Sequence, residues 1–118
     1  MNVFDTSFLD QHIAQRQQQE EAERQSLLKT ALSWLSVHSQ NFGVQEGFLF
    51  GSITQARRFH HASDVDIAVE SLSPGNPFSL ISTLSTVLDR EVDLVALDQC
   101  HFAEKIRHTG IAWTQSNS

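Results

Sequence analysis

The sequence predicts an α+β fold in which a small mixed sheet is flanked by helices and preceded by a long N-terminal helix. Three short apolar runs, at residues 44–50, 64–70 and 91–97, have the length and composition of strands. Between them, apolar residues recur every three or four positions, which is the spacing of an amphipathic helix. Because no repeat appears, we expect one compact unit rather than a repeat array.

The N-terminal helix is predicted to cover most of residues 5–40, and Asp5 or Thr6 can cap its start. Its second half carries an apolar stripe formed by Leu28, Ala31, Leu32 and Leu35. The stretch before the stripe, residues 15–23, is polar on all sides. We therefore expect a solvated helical extension there, with a kink or a break as an open alternative.

A separate apolar patch precedes this polar stretch and is difficult to place in the same core. It consists of Phe4, Phe8, Leu9 and Ile13. Two interpretations remain open, because exposed apolar patches mark interaction sites but short ones also make local contacts. The patch packs against a partner chain, or it makes a satellite contact within the monomer.

The first two strands are predicted at residues 44–50 and 64–70, and Gly47 weakens the first of them. Residues 52–58 are expected to form a short helix, followed by a loop at residues 59–63. This order matters because it places a Gly-Ser turn at the end of one strand and two aspartates at the start of the next.

The second long helix has a clear start, because Asn76 suits an N-cap and Pro77 suits the first helical position. We expect it to end near Arg90. Its predicted buried stripe consists of Phe78, Ile81, Leu84, Val87 and Leu88.

The third strand is predicted at residues 91–97, after which Asp98 can cap a last helix that runs to Thr109. Gly110 is expected to end that helix, and residues 111–113 to add a short strand.

The chain has 118 residues, which is enough for one domain and not for two. We divide it into a helical segment at 1–43, a catalytic core at 44–113 and a polar tail at 114–118. The net charge is −6 and the eight basic residues are scattered, which argues against a nucleic-acid interface. One cysteine excludes an internal disulfide, and no stretch resembles a membrane span or a secretory signal, so we expect a cytoplasmic protein.

The motif that carries chemistry is Gly51-Ser52 followed by Asp64, Asp66 and, on the third strand, Asp93. Side chains alternate along a strand, so Asp64 and Asp66 should point to one face. Carboxylates this close repel each other unless a proton or a cation intervenes, and Mg²⁺ prefers oxygen ligands. Glycine lets a backbone approach a phosphate, and the first N–H groups of a helix attract one. The pattern thus predicts a divalent-metal site beside a phosphate-binding turn.

Four residues that follow the Gly-Ser turn can be interpreted either as surface residues or as phosphate-binding residues. Arg57 and Arg58 are surface charges by default, but they lie one turn after Gly-Ser, so they are candidates for contact with a phosphate. His60 and His61 lack the further nitrogen or sulfur ligands of a zinc site. We expect solvated loop histidines, with a role in phosphate binding left open.

These residues resemble the pattern of the nucleotidyltransferase superfamily that includes DNA polymerase β, and above all its small members, the minimal nucleotidyltransferases. The resemblance covers about residues 44–98. It implies a polymerase β-like fold in which Asp64 and Asp66 hold two Mg²⁺ ions and Asp93 completes the site as metal ligand and base. It further implies that Gly51 and Ser52 cradle the β- and γ-phosphates of ATP.

The resemblance also implies a biological role and shows two departures. Small members are often antitoxins that transfer AMP from ATP to a tyrosine of a HEPN-domain toxin ribonuclease. In this chain the spacer between the Gly-Ser turn and the first aspartate is one residue longer than the common form. The residue directly after Gly-Ser is Ile53 instead of a basic one.

Two other functions compete with protein adenylylation. A non-catalytic antitoxin would block the HEPN toxin sterically, as the long polar N-terminal helix with its isolated apolar patch suggests. A small-molecule nucleotidyltransferase would need more chain than follows the third strand, since a second substrate must be held. We therefore expect a protein partner that supplies the acceptor surface, in a hetero-oligomer, with no nucleic acid and no membrane involved.

Overall fold

The computed structural model describes residues 6–116, so Phe4 and Asp5 lie outside the described residues. Its helices are α1 at Ser7–His38, α2 at Pro77–Leu88 and α3 at Ala103–Thr109. The first helix is continuous over 32 residues, so the polar stretch contains no break. Thr6 occupies the N-cap position without a capping bond, and its hydroxyl donates instead to Asp10 Oδ2 at 3.2 Å.

Four strands form one sheet: β1 at Glu46–Phe50, β2 at Val65–Val69, β3 at Val92–Ala96 and β4 at Ile111–Thr114. The sheet order is β3-β2-β1-β4. Strand β1 is antiparallel to β2 and β4, whereas β2 and β3 run parallel. The predicted mixed sheet, its strands and the long first helix are confirmed.

The two faces of the sheet differ in what covers them. On one, here called the packed face, Leu49, Val65, Ile67 and Val69 join the main core under α1 and α2. The α1 stripe supplies Ala31 and Leu35 as buried residues, with Leu28 and Leu32 packed beside them, as predicted. The other, here called the acid face, carries Phe50, Asp66, Ala68, Asp93 and Val95, which alternate with the packed residues along the strands.

Helix α2 starts as predicted, but its predicted buried stripe is confirmed only in part, at Leu84, Leu88 and the partly buried Ile81. Asn76 Oδ1 accepts a hydrogen bond from the Ser79 N–H at 3.2 Å, which confirms the cap. The residues of α2 that the core buries are Pro77, Leu80, Leu84 and Leu88. Phe78 and Val87 are 60% and 44% exposed, so their predicted burial is wrong. The helix offers more apolar positions than one face can hold, and the sheet selects among them.

The chain after β3 differs from the prediction in one respect. Asp98 does not cap a helix; it lies in a 3₁₀ turn at Leu97–Gln99, and its N–H donates to the Glu70 carbonyl at 3.0 Å. Helix α3 starts later, with Phe102 as its N-cap residue. Gly110 ends it and β4 follows, as predicted. No helix within residues 6–116 is long and apolar enough to cross a membrane.

The apolar patch on α1 is solvent-exposed in the described part of the chain. Phe8, Leu9 and Ile13 are 79%, 56% and 48% exposed, and none of them joins either apolar cluster. The Phe8 ring stacks on His12 of the same helix at 6.3 Å. The interpretation of a satellite contact with the core is therefore wrong for these three residues.

Candidate active site

The sheet register brings two of the predicted carboxylates side by side. Asp66 of β2 pairs with Asp93 of the parallel strand β3 and with Phe50 of β1. Residues paired in this way lie on the same face, and neighbouring strands are about 4.8 Å apart. Asp64 precedes β2 by one residue and is exposed, as is Asp93, whereas Asp66 is half-buried.

The pKa of the Asp66 carboxyl is changed strongly by its surroundings. Burial disfavours its charged form, and the negative charges of Asp93 and then Asp64 add to this, which raises the pKa of Asp66 to about 6. A carboxyl with such a pKa is partly protonated near neutral pH. The part of the shift that comes from Asp93 and Asp64 is the repulsion that the sequence pattern predicted, and a cation near these three groups would relieve it.

The carboxylates do not form a closed metal cage. Among residues 6–116, no three His, Cys, Asp or Glu side chains are arranged closely enough to hold a metal ion together. The sheet fixes Asp66 and Asp93 by their register, but Asp64 lies outside the strand. The arrangement is thus a preset pair of carboxylates with a third carboxylate at the strand end.

The Gly-Ser turn sits directly against the Asp66 carboxylate. Gly51 follows Phe50, the register partner of Asp66, and its φ is +78°, a conformation that side chains disfavour. A Cβ atom at Gly51 would also collide with Asp66 Oδ2. The positive φ therefore favours glycine there, and a larger residue would also have to displace the Asp66 carboxylate. The turn is closed by Thr54, whose hydroxyl donates to the Gly51 carbonyl at 2.7 Å.

The helix predicted after Gly-Ser, at residues 52–58, is wrong. A 3₁₀ turn covers only Gly51–Thr54. Gln55 then has an extended backbone, and Arg57 has a φ of +72°, so helical geometry cannot continue. Any phosphate bound here would meet the N–H groups of a tight turn and not the first turn of an α-helix.

Arg57 and Arg58 are both exposed after this turn. Arg58 Nη1 donates to Gln55 Oε1 at 3.2 Å. Arg57 lines a cleft of about 580 Å³ between α1 and residues 56–60, and none of the three aspartates lines that cleft. The structure thus places both arginines beyond the Gly-Ser turn, with Arg57 in the cleft beside α1.

His60 and His61 lie on the solvent side of the loop, with side chains 65% and 89% exposed. Each faces an acid of α1: His60 Nδ1 is 3.5 Å from Glu20 Oε2, and His61 Nδ1 is 4.0 Å from Glu23 Oε1. Neither histidine is grouped with the aspartates as a metal site in the described residues.

The polar stretch of α1 is not a solvated extension throughout, which corrects the sequence-based expectation. Directly after this stretch, Arg24 Nη1 donates to the Ile53 carbonyl at 2.9 Å, next to the Gly-Ser turn. Glu23 pairs with Arg90 beside the same loop. The sequence shows the Glu21–Arg24 spacing of three residues, which indicates a pair within the helix but not a contact with a distant loop.

The acid face is covered at one end and open at the other. Helix α3 packs Ala103 and Ile106 against Ala68, beyond the aspartates. At that covered end, Arg107 binds both carboxylate oxygens of Glu70 at 3.1 and 2.9 Å. At the other end, Asp93 of the edge strand β3 is exposed, and Asp66 beside it is half-buried.

A family model described as "Polymerase beta, Nucleotidyltransferase" matches residues 35–117. This range contains the Gly-Ser turn, the three aspartates and all four strands. It begins near the end of α1 and leaves most of that helix outside the match. No curated protein and no solved structure matches the chain.

Proposed function

Because the chain belongs to the polymerase β nucleotidyltransferase family, we propose that it transfers AMP from ATP to a tyrosine hydroxyl of a HEPN-domain toxin and so neutralises that ribonuclease. Its mixed sheet and helices are those of the polymerase β-like fold. The observation that carries the proposal is the register of Asp66 and Asp93 beside Gly51, because it joins two carboxylates to a tight glycine turn, and the backbone N–H groups of such turns can bind phosphate.

Mg²⁺ would be held by Asp66, Asp93 and Asp64. Carboxylate oxygens suit this hard cation, and the pKa of Asp66 is raised first by burial and then by the negative charges of Asp93 and Asp64, which a cation would offset. Bound Mg²⁺ would neutralise charge on the transferring phosphate and orient the attacking oxygen.

The triphosphate would lie against Gly51 and Ser52, whose backbone N–H groups start the 3₁₀ turn. Arg57 would reach only a phosphate that extends toward α1, since it lines the cleft beside that helix, and Arg58 follows it as an exposed side chain. We therefore assign phosphate contact first to the turn and second to these arginines.

In the transfer step, the tyrosine oxygen bonds to the α-phosphorus, and the bond from that phosphorus to pyrophosphate breaks. Asp93 accepts the phenolic proton, and pyrophosphate leaves. Asp93 suits this role because it is exposed and lies on the edge strand, where an acceptor from outside can approach.

A protein acceptor is favoured by the openness of the acid face. No described element covers Asp93 on the outer side of β3, so an incoming surface would have to complete the site and exclude water. The chain contains no tyrosine, so a tyrosine acceptor must belong to another molecule. Label found on tyrosine therefore cannot arise from self-modification.

The test is a transfer assay with a HEPN-domain protein, Mg²⁺ and α-labelled ATP. We expect label on the partner's tyrosine with the wild-type chain and a decrease of at least about a hundredfold with Asp66→Asn, because aligned charge groups at a reacting centre contribute effects of this size. Asp98→Asn is the matched control, since it makes the same change at an exposed aspartate outside the acid face.

The alternatives give different results in the same assay. A stable complex without label would contradict transfer and favour the non-catalytic antitoxin, for which the exposed Phe8, Leu9 and Ile13 offer a contact surface. Label on a small acceptor such as an aminoglycoside, without a partner, would favour the small-molecule enzyme.

A further inference from the structure

The loop that joins the Gly-Ser turn to Asp64 is held at both ends by arginine side chains from outside it. We call residues 53–63 the connecting loop. At its start, Arg24 Nη1 donates to the Ile53 carbonyl at 2.9 Å. At its end, Arg90 Nη1 donates to the Ser63 carbonyl at 2.8 Å and to the His60 carbonyl at 3.3 Å. The two anchored ends adjoin Ser52 and Asp64, respectively.

Each guanidinium is itself fixed in place. The Arg24 side chain is 13% exposed, and both oxygens of Glu21 accept from it, at 2.9 Å from Nε and 2.6 Å from Nη2. This pairing, with a smaller contribution from Gln25, lowers the pKa of Glu21 to about 2. A planar fork held in this way loses little freedom when it binds a carbonyl.

Arg90 is fixed by two further contacts. Its Nη2 donates to Glu23, and its guanidinium lies over the Phe59 ring at 4.8 Å from the centroid. Phe59 belongs to the connecting loop and is 2% exposed, so it anchors the middle of the loop in the main core. The Arg90 side chain is 11% exposed.

Three of the anchoring residues lie outside the matched family range. Glu21, Glu23 and Arg24 precede residue 35, where the match begins. The connecting loop lies inside that range. A segment of α1 beyond the family match thus holds a loop that lies between the two halves of the candidate site.

We infer that Arg24 and Arg90 are positioning residues, which hold the connecting loop so that the Gly51–Ser52 turn and Asp64 keep a fixed separation. This inference rests on the proposed function, since it concerns how the same site holds its nucleotide. Loops open readily when their backbone bonds face solvent, and charge-assisted bonds to carbonyls at both ends oppose that opening. Neither arginine touches the reacting atoms in this scheme.

The experiment compares Arg24→Ala, Arg24→Lys and the matched control Arg107→Ala. Arg107 also forms a bidentate pair with a glutamate, but at the covered end of the sheet. We expect Arg24→Ala to raise the KM for ATP about tenfold and to lower kcat, as loss of one charge-assisted bond would. Arg24→Lys should restore part of the loss, and Arg107→Ala should leave KM unchanged.

Two measurements distinguish a positioning role of Arg24 from a role in stability alone. Urea unfolding gives the folded fraction of each variant, and calorimetric titration with Mg·ATP gives nucleotide affinity without any acceptor. If Arg24→Ala lowers kcat only in proportion to the folded fraction, with KM and affinity unchanged, the inference is overturned. Because Arg90 also packs on Phe59, its alanine variant is a secondary test, interpreted after unfolding measurements.

The titration also separates this inference from the transfer proposal. A wild-type chain that binds Mg·ATP but labels no partner contradicts the transfer. In that case a tenfold weaker affinity of Arg24→Ala still supports the positioning role. Equal affinities of wild type and Arg24→Ala overturn the positioning role even if transfer occurs. A wild-type chain that binds no nucleotide overturns both.

Discussion

Two adjacent residues of β2 summarise the difference between the two faces of the sheet. Ile67 points into the packed face and is fully buried, whereas Asp66 points to the acid face and carries a raised pKa. Ile67 stabilises the folded protein because its side chain is removed from water. The ionised Asp66 destabilises the folded protein, because burial and neighbouring charges oppose its ionisation. The stability that the acid face costs is therefore supplied by apolar residues on the packed face of the same strand.

The largest effect expected from this comparison is on the packed face. Ile67→Ala should lower the free energy of unfolding by about 2–5 kcal/mol, because it removes buried carbon atoms and leaves a cavity. The measurement is urea denaturation at pH 7. Ile67→Val is a graded control with an expected loss of about 0.5–1.5 kcal/mol. A loss of the same size from Asp66→Asn would break the comparison, since we expect that variant to be no less stable than the wild type.

An intermediate effect is expected on the acid face, as a dependence of stability on pH. The folded pKa of Asp66, about 6, lies above its ordinary value of 3.8, so the folded state binds the proton more tightly than the unfolded state. Stability should therefore fall as pH rises from about 4 to about 6. We expect a loss of about 1–2 kcal/mol, less than the full shift implies because the carboxyl is half exposed.

This second prediction is measured as a difference between the wild type and Asp66→Asn across that pH range. The subtraction removes the titration of the other carboxyls, provided that they behave alike in both proteins. A difference that is flat, or that grows in favour of the wild type with rising pH, would contradict a raised pKa of Asp66 in the folded protein.

The smallest effect is expected at an apolar residue of α2 that does not enter the packed face. Phe78→Ala should change the free energy of unfolding by no more than about 0.5 kcal/mol, because the side chain is 60% exposed. Leu80→Ala, two residues later, is the matched buried control, with an expected loss of about 2–5 kcal/mol. Equal losses in the two variants would show that Phe78 is covered in solution.

Much of the sheet could be predicted because its signals are local. Period-two alternation places Asp66 opposite Val65 and Ile67, and the strands found match the predicted runs to within two residues at each end. The pairing of Asp66 with Asp93 also requires that their two strands be neighbours, which alternation within one strand does not determine. The sheet order meets that condition.

The remaining features depend on contacts between distant parts of the chain. Helix α2 has apolar residues on more than one side, and only the position of the sheet selects Leu80 over Phe78. The bond from Arg24 to the Ile53 carbonyl joins residues 29 positions apart, and no local pattern encodes it. The short 3₁₀ turn after Phe50 likewise depends on backbone angles at Gln55 and Arg57 that composition does not reveal.

The placement of the aromatic residues determines what an optical experiment on this protein can detect. Ultraviolet emission should come from two tryptophans, since the chain has no tyrosine. Trp113 of β4 is 4% exposed in the main core, and Trp34 of α1 packs against the same core with its ring 6.1 Å from Phe42. Neither indole lies on the acid face. A red shift in fluorescence would therefore report the loosening of α1 from the sheet, while events among the carboxylates would need a label or a calorimeter to be seen.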